Sequence, residues 1–412
     1  MNAREIKLHR KAQDFRGAAP DALLLQQMKA VEPMLDRTID PRKHLNLDGT
    51  KLALHRERVE AWRRGEFVAP ITIDMALTQR CSYSCTFCYA GLQQNPQAPV
   101  EWPVYERFLE EAAELGVKAI SLVSDGESTE NPDFVKFVMK AKAVGLDVAV
   151  GTNGLRLDQF GVTGMEALLD SLTYLRFNFN AAHPARYAEI MGTSEKNYHK
   201  VVGTIKMMTA MKRARGNECT IGLQQVLMPE YADEVLPLAL LSRSLGADYL
   251  VIKHCSDDEN GRLGVDYDWY KSEIAERLFD TAEALSQRQG CIIQAKKTKF
   301  KTGRDRRYSR CYGTPLLLQI SGSGVVAPCG SFFHSRYANR HIGDLKTSSL
   351  RSILESDRYR KIINTLASNS FDPRKECATL CLQDKVNEAL FDLIHYDTEL
   401  PPAIDNAHRN FV

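Results

Sequence analysis

The segment LTQRCSYSCTFCYAG, residues 77–91, sets Cys81, Cys85 and Cys88 in a C-x-x-x-C-x-x-C spacing directly after the β-branched run ITIDMALT. Three thiolates on one tight loop can hold three irons of a [4Fe-4S] cluster and leave the fourth iron open to a small chelating ligand, whereas four would close it. Zinc, which usually takes four ligands, and a set of buried structural thiols are the alternatives. The N-terminal segment MNAREIKLHRKAQDF is charged from its fourth residue and lacks an apolar h-region, and no stretch reaches the length of a membrane span. A cytoplasmic location and no membrane partner are therefore expected, and ten cysteines in that compartment are read for metal before disulfides. The formal charge of +2 gives no basic field for sequence-independent nucleic-acid binding, so no nucleic-acid partner is expected.

The placement of the triplet follows from the pattern around it. Residues 1–70 are polar and helical in pattern, with Val59 and Trp62 one turn apart among charges, and read as a helical N-terminal cap. From Ile71 onward, short β-branched runs alternate with amphipathic stretches: ITIDMALT, KAISLVS, LDVAVGT, YLRFNFN, CTIGLQQVL and DYLVIK. Strands separated by helices imply an α/β fold with a parallel sheet, here a partial (β/α)6 barrel over residues 71–290. The triplet then lies at the carboxyl end of the first strand, the face on which β/α barrels carry their active sites. Residues 291–385 change texture to short strands, glycine turns and a helix, and read as a second, smaller hairpin-and-helix domain. Residues 386–412 read as a C-terminal tail.

On these residues the chain resembles the radical SAM superfamily, whose motif is this cysteine spacing with an aromatic residue before the third cysteine, here Phe87. The resemblance covers roughly residues 71–385. It implies that S-adenosyl-L-methionine chelates the open iron, and that one electron from a reductant such as flavodoxin or ferredoxin cleaves it. The product is a 5′-deoxyadenosyl radical that takes a hydrogen atom from substrate, with the protein supplying position and dryness. Gly126 and Glu127 in SDGEST resemble the family's glycine-glutamate segment that meets the methionyl amino group, with Asp125 in place of the first glycine. Asn178 and Asn180 in LRFNFN occupy the positions of cofactor contacts on the fourth strand. Alternation sets Arg176, Asn178 and Asn180 on one face, either a polar barrel interior or a solvated edge. Asn153 in GTNG and Gln224 or Gln225 on the fifth strand are further candidates.

Four more cysteines, Cys311, Cys329, Cys377 and Cys381, accompany the hairpin SGSGVVAPCG. They resemble a twitch or SPASM-type extension carrying one auxiliary [4Fe-4S] cluster, with structural zinc as the alternative. Cys255, at the end of the sixth strand, resembles the free thiol with which radical epimerases return a hydrogen atom; a small buried residue is the plain alternative. Lys253 and His254 stand beside it. Residues 295–310, AKKTKFKTGRDRRYSR, hold eight basic residues against one Asp, and read either as a grip for an anionic group or as a solvated loop. The substrate expected from these features is a small molecule, anionic or sugar-like: a carbohydrate, aminocyclitol or nucleotide-linked sugar, acted on by an epimerase or dehydrogenase. Peptide modification ranks second because residues 1–70 show no trio of strands, and a zinc-binding structural protein is the non-enzymatic reading.

Overall fold

The protein is described from a computed structural model covering residues 19–44, 49–95, 97–258, 260–302, 305–379, 381, 383–402 and 404–412. The six expected strands form as β1 (Thr72–Met75), β2 (Ala119–Leu122), β3 (Asp147–Thr152), β4 (Tyr174–Asn178), β5 (Thr220–Leu227) and β6 (Tyr249–His254). Each pairs in parallel with its successor, as helices in the connections require. The helices Trp102–Leu115, Phe134–Ala143 and Glu195–Arg215 fall where the amphipathic stretches place them. Gly116 and Gly216 close two of them with left-handed backbone, the conformation glycine adopts without steric cost.

The barrel is larger than six strands. β7 (Ile292–Ala295) pairs in parallel with β6, and β8 (Leu317–Ile320) pairs in parallel with β1, in register Asp74 to Gln319. β9 (Val325–Ala327) and β10 (Gly343–Asp344) extend that edge antiparallel, in the order β10-β9-β8-β1-β2-β3-β4-β5-β6-β7. The expected break at residue 290 is therefore absent from the sheet, which runs continuously into the cysteine-bearing hairpin. The helix expected after the short strands of this region is two, Leu350–Glu355 and Asp357–Leu366, because the Ser356 hydroxyl accepts from Tyr359 N–H and starts a new helix.

The terminal segments are structural parts of the barrel. Helix Asp21–Val31 buries Leu24, Met28 and Val31, and in helix Arg56–Arg63 the Arg58 guanidinium donates to the carbonyls of Ala69, Pro70 and Gly116. Residues 404–412 run across the amino ends of the strands. Asn410 Nδ2 donates to Asp147 on β3 at 2.7 Å, Thr72 Oγ1 on β1 donates to the Asn410 carbonyl at 2.6 Å, and Lys51 Nζ donates to the Phe411 carbonyl at 2.7 Å. The tail thus floors the lumen. Among the described residues no helix is long and apolar enough to cross a membrane.

Candidate active site and auxiliary cluster site

The loop after β1 carries the triplet and is held at the carboxyl ends of the strands by two close approaches. A Cβ on Gly126 would lie 1.8 Å from the Thr78 carbonyl oxygen, and one on Gly322 would lie 2.3 Å from the Thr78 carbonyl carbon. Thr78 and Gln79 are clamped between the β2 and β8 loops, and only glycine permits the clamp. Asp125 completes it. Its carboxylate accepts from Gln79 Nε2 at 2.9 Å, Ser321 Oγ at 2.6 Å and Gly322 N–H at 2.8 Å, joining three loops. The residue that departs from the family's glycine therefore has a structural task, one for which the sequence offered no partner.

Beyond the clamp, Cys81, Cys85 and Cys88 line one cavity of about 1040 Å³ together with Phe87, Gly126, Glu127, Asn153, Arg176, Asn178, Gln224 and Lys253. Glu127 is buried, and its carboxylate is spent on the loop: it accepts from Thr129 N–H and Oγ1, Thr152 Oγ1 and, at 2.7 Å, Asn153 N–H. Burial raises its pKa despite those bonds. Asn153 Nδ2 in turn sits 3.8 Å from Cys81 Sγ, a donor aimed at a ligand sulfur of the kind that tunes a cluster. Asn178 and Gln224 face the lumen joined by a 2.9 Å hydrogen bond.

Two expected contacts turn away. Asn180 lies beyond the end of β4, where alternation no longer holds, and its Oδ1 accepts from Val226 N–H at 2.9 Å. Gln225 has the opposite phase to Gln224, and its Nε2 donates to the Asn180 carbonyl at 3.3 Å. Neither lines the cavity. Cys255 is also displaced from it: fully buried, with its thiol 3.7 Å from the Phe87 carbonyl and 3.4 Å from the Ser256 carbonyl, it packs behind the cysteine loop while Lys253 and Ser256 reach the cavity wall. Burial holds its thiol well above the usual range.

The second cysteine set converges as expected. Cys311, Cys329, Cys377 and Cys381 line a separate cavity of about 870 Å³, although 70 residues separate the first from the last. Burial pushes Cys311 up to about 11 and Cys329 up to about 12. Each of these two also feels the charge of Cys381, so four neighbouring half-buried thiolates need cationic metal to coexist, which fits a cluster. Asn387 Nδ2 approaches Cys381 Sγ at 3.8 Å, and Arg306 donates to the carbonyls of Pro373, Ala378 and Thr379 around Cys377. Tyr89, the residue after Cys88, lines both cavities.

The basic run 295–310 is divided among separate tasks. Lys297 pairs with Asp280 and Glu283, Arg306 braces the auxiliary loop, and Arg307 pairs with Glu388 and Asp392. Lys296 and Lys299 line the lower lumen. Arg304 and the side chain of Lys301 lie outside the described residues.

Comparison with known proteins agrees with this geometry. The radical SAM superfamily description matches residues 75–236, and the SPASM description, an iron–sulfur cluster-binding domain, matches residues 311–382. A PqqA peptide cyclase of Gluconobacter oxydans is 27% identical over 186 residues, covering 45% of this chain and 49% of that protein. A probable GTP 3′,8-cyclase of Thermococcus kodakarensis is 30% identical over 131 residues, covering 31% of this chain and 40% of that protein. The chain thus spans about half or less of the length of these relatives. The fold is shared with Streptococcus suis SuiB, solved bound to precursor peptide SuiA, at a TM-score of 0.57 and 14% identity over 77% of this chain and 71% of SuiB. With three cysteines on the open lumen and four on the side cavity, the chain belongs to the radical SAM superfamily and carries a C-terminal SPASM domain, so its cofactors are a [4Fe-4S] cluster, S-adenosyl-L-methionine and an auxiliary iron–sulfur cluster.

Proposed function

We propose that this chain modifies a peptide by hydrogen-atom abstraction, as a maturation enzyme for a ribosomally made precursor. The observation that carries the reading is the set of relatives: PqqA peptide cyclases of three organisms are 26–30% identical to it over 28–45% of its length. Carbohydrate epimerisation and alcohol oxidation, ranked first on sequence, find no counterpart among the named activities of those relatives, which are cyclisations and a haem synthesis.

When bound, the cluster and S-adenosyl-L-methionine supply the radical chemistry, and Cys81, Cys85 and Cys88 are the residues that would hold the iron. The protein's own contribution is placement. Glu127 fixes the Asn153 loop, Asn178 and Gln224 present a bonded polar pair to the lumen, and the clamp on Thr78 fixes the cysteine loop. The absence of a strand trio before β1 argued against a peptide on sequence. The described residues there are helical, which moves the expected peptide contacts to the lumen and its rim.

The test is direct. Anaerobically reconstituted protein, given dithionite, S-adenosyl-L-methionine and a panel of candidate precursor peptides, is expected to form 5′-deoxyadenosine and to lower the mass of one peptide by a pair of hydrogens. Turnover of a sugar or aminocyclitol, with every peptide unchanged, would refute the reading.

A further inference from the structure

Below the cofactor cavity the lumen continues into a second space of about 1130 Å³, and the two share Tyr89, Val123, Arg176, Gln224 and Lys253. Five basic side chains line this lower space: Lys51, Arg176, Lys253, Lys296 and Lys299. Asp74 is the one carboxylate side chain among its lining residues, and burial lifts it to about 6. His254 and His408 also line it, and burial among the lysines holds both near 3, so they stay neutral at pH 7. Crowding lowers the pKa of Lys253 to about 7 and that of Lys296 well below its ordinary value, and Arg176 already acts on Asp74, so what the wall rewards is an anion that restores those protons.

Arg176 and Lys253 matter most because they stand where the two spaces join. No hydrogen bond or ion pair joins either one to another described residue, and Arg176 Nε is buried with no acceptor. Neither points there by accident of packing. Arg176 is registered between Gly151 on β3 and Gly222 on β5, and a Cβ on Gly151 would already lie 3.2 Å from the guanidinium. Lys253, registered against Val226 of β5, enters from β6, two strands from Arg176. An arginine fork and a lysine amine, which burial leaves poised near pH 7 and an entering anion would protonate, reach into one space and form a receptor for a carboxylate.

We propose that Arg176 and Lys253 bind a carboxylate of the substrate at the base of the radical cavity. This rests on the peptide reading for the source of the carboxylate: an acidic side chain of the precursor, inserted into the lumen so that its carbon chain lies beside the cofactor. The residues on either side of the inserted one remain at the rim. The acidic residue is then the one positioned for attack.

The experiment uses the reconstituted holoprotein and two isosteric probes, glutarate and its uncharged diamide, glutaramide. Glutarate is expected to raise the melting temperature of the wild type and glutaramide to leave it unchanged. Lys253→Met and Arg176→Gln are expected to weaken glutarate binding about thirtyfold, the size of effect seen when one partner of a buried charge pair is removed. Should either variant not fold, native cluster absorbance will reveal it, and Arg176→Lys, which keeps the charge, takes its place with partial retention expected. A glutarate effect that survives both substitutions overturns the proposal, as does no effect in the wild type. Glutarate binding that depends on both residues, in a protein that modifies no peptide, leaves the carboxylate site standing and refutes the peptide reading instead.

Discussion

Gln93 Nε2 donates a 2.7 Å hydrogen bond to the carbonyl of Gly330, the residue after Cys329, so the loop behind the cysteine triplet is bonded to the hairpin of the auxiliary set. Both groups are buried, and Gly330 N–H is in turn taken by Gln319 Oε1 on β8. Tyr89 stands in the same junction, lining both cavities within electrostatic reach of Cys88 and Cys329. The two cluster sites are therefore held by one polar network, and their separation is fixed by it.

Replacing Gln93 by Met keeps the volume and leaves the Gly330 carbonyl without its donor. The expected cost is about 1–3 kcal/mol in the free energy of unfolding, read from denaturant midpoints of the holoprotein. Because the tie is to the auxiliary hairpin, chelator should strip iron from the auxiliary site faster than in the wild type while the triplet's iron leaves at an unchanged rate. Equal acceleration at both sites would show that the bond does not act locally.

Gly126→Ala should be far more severe than an ordinary loop substitution, since the added methyl meets backbone at 1.8 Å and not a movable side chain. The cysteine loop must shift to admit it. Iron content is expected to fall from about eight atoms per chain to about four, the auxiliary cluster remaining. Cys311→Ala should reduce iron by a similar amount from the other site while leaving the triplet's spectroscopic response to S-adenosyl-L-methionine in place.

Much of this was readable from residues, and the failures have physical causes. β1 to β6 announce themselves as β-branched runs between amphipathic helices, and three cysteines after the first of them carry their chemistry in the spacing alone. β8 could not be placed because its partner, β1, lies some 240 residues earlier, and nothing local in LLQI names a partner. The tail was opaque because it docks through Asn410, His408 and main-chain carbonyls, contacts with no periodic signature. Asn180 and Gln225 lie off the cavity for two separate reasons: period two assigns faces only while the strand lasts, and only once its phase is known. Arg176 had the correct phase by the same rule, but its task needed the neighbouring Gly151 and Gly222 to be seen beside it.

Lys253 gives the protein a pH signature. Burial, with Arg176 and Lys299 nearby, lowers its pKa from an ordinary 10.5 to about 7. Between those values the unfolded chain holds a proton that the folded one lacks, so stability from this group rises with pH above about 7 and is diminished below it. The slope is at most about 1.4 kcal/mol per pH unit. Lys253→Met should flatten the dependence of urea midpoints between pH 7 and 9 relative to wild type. An identical slope in the variant would show that Lys253 does not titrate in that window.

Cys255 separates a chemical role from a packing one. Its thiol is buried against the Phe87 and Ser256 carbonyls while its backbone N–H donates to the Tyr270 hydroxyl, and a hydrogen atom donated from there would have to pass the cysteine loop to reach the lumen. Cys255→Ala is accordingly expected to lower stability by about 1 kcal/mol, for a small polarizable side chain lost from the core. Its rate of 5′-deoxyadenosine formation with substrate should stay within about threefold of wild type, a difference of less than 1 kcal/mol in barrier height. Product formed in deuterated water is the deciding measurement. If the wild-type product carries solvent deuterium at carbon and the alanine variant's product does not, the thiol reaches the substrate radical and the packing assignment fails; matching isotope patterns in the two proteins leave Cys255 as a structural residue of the loop.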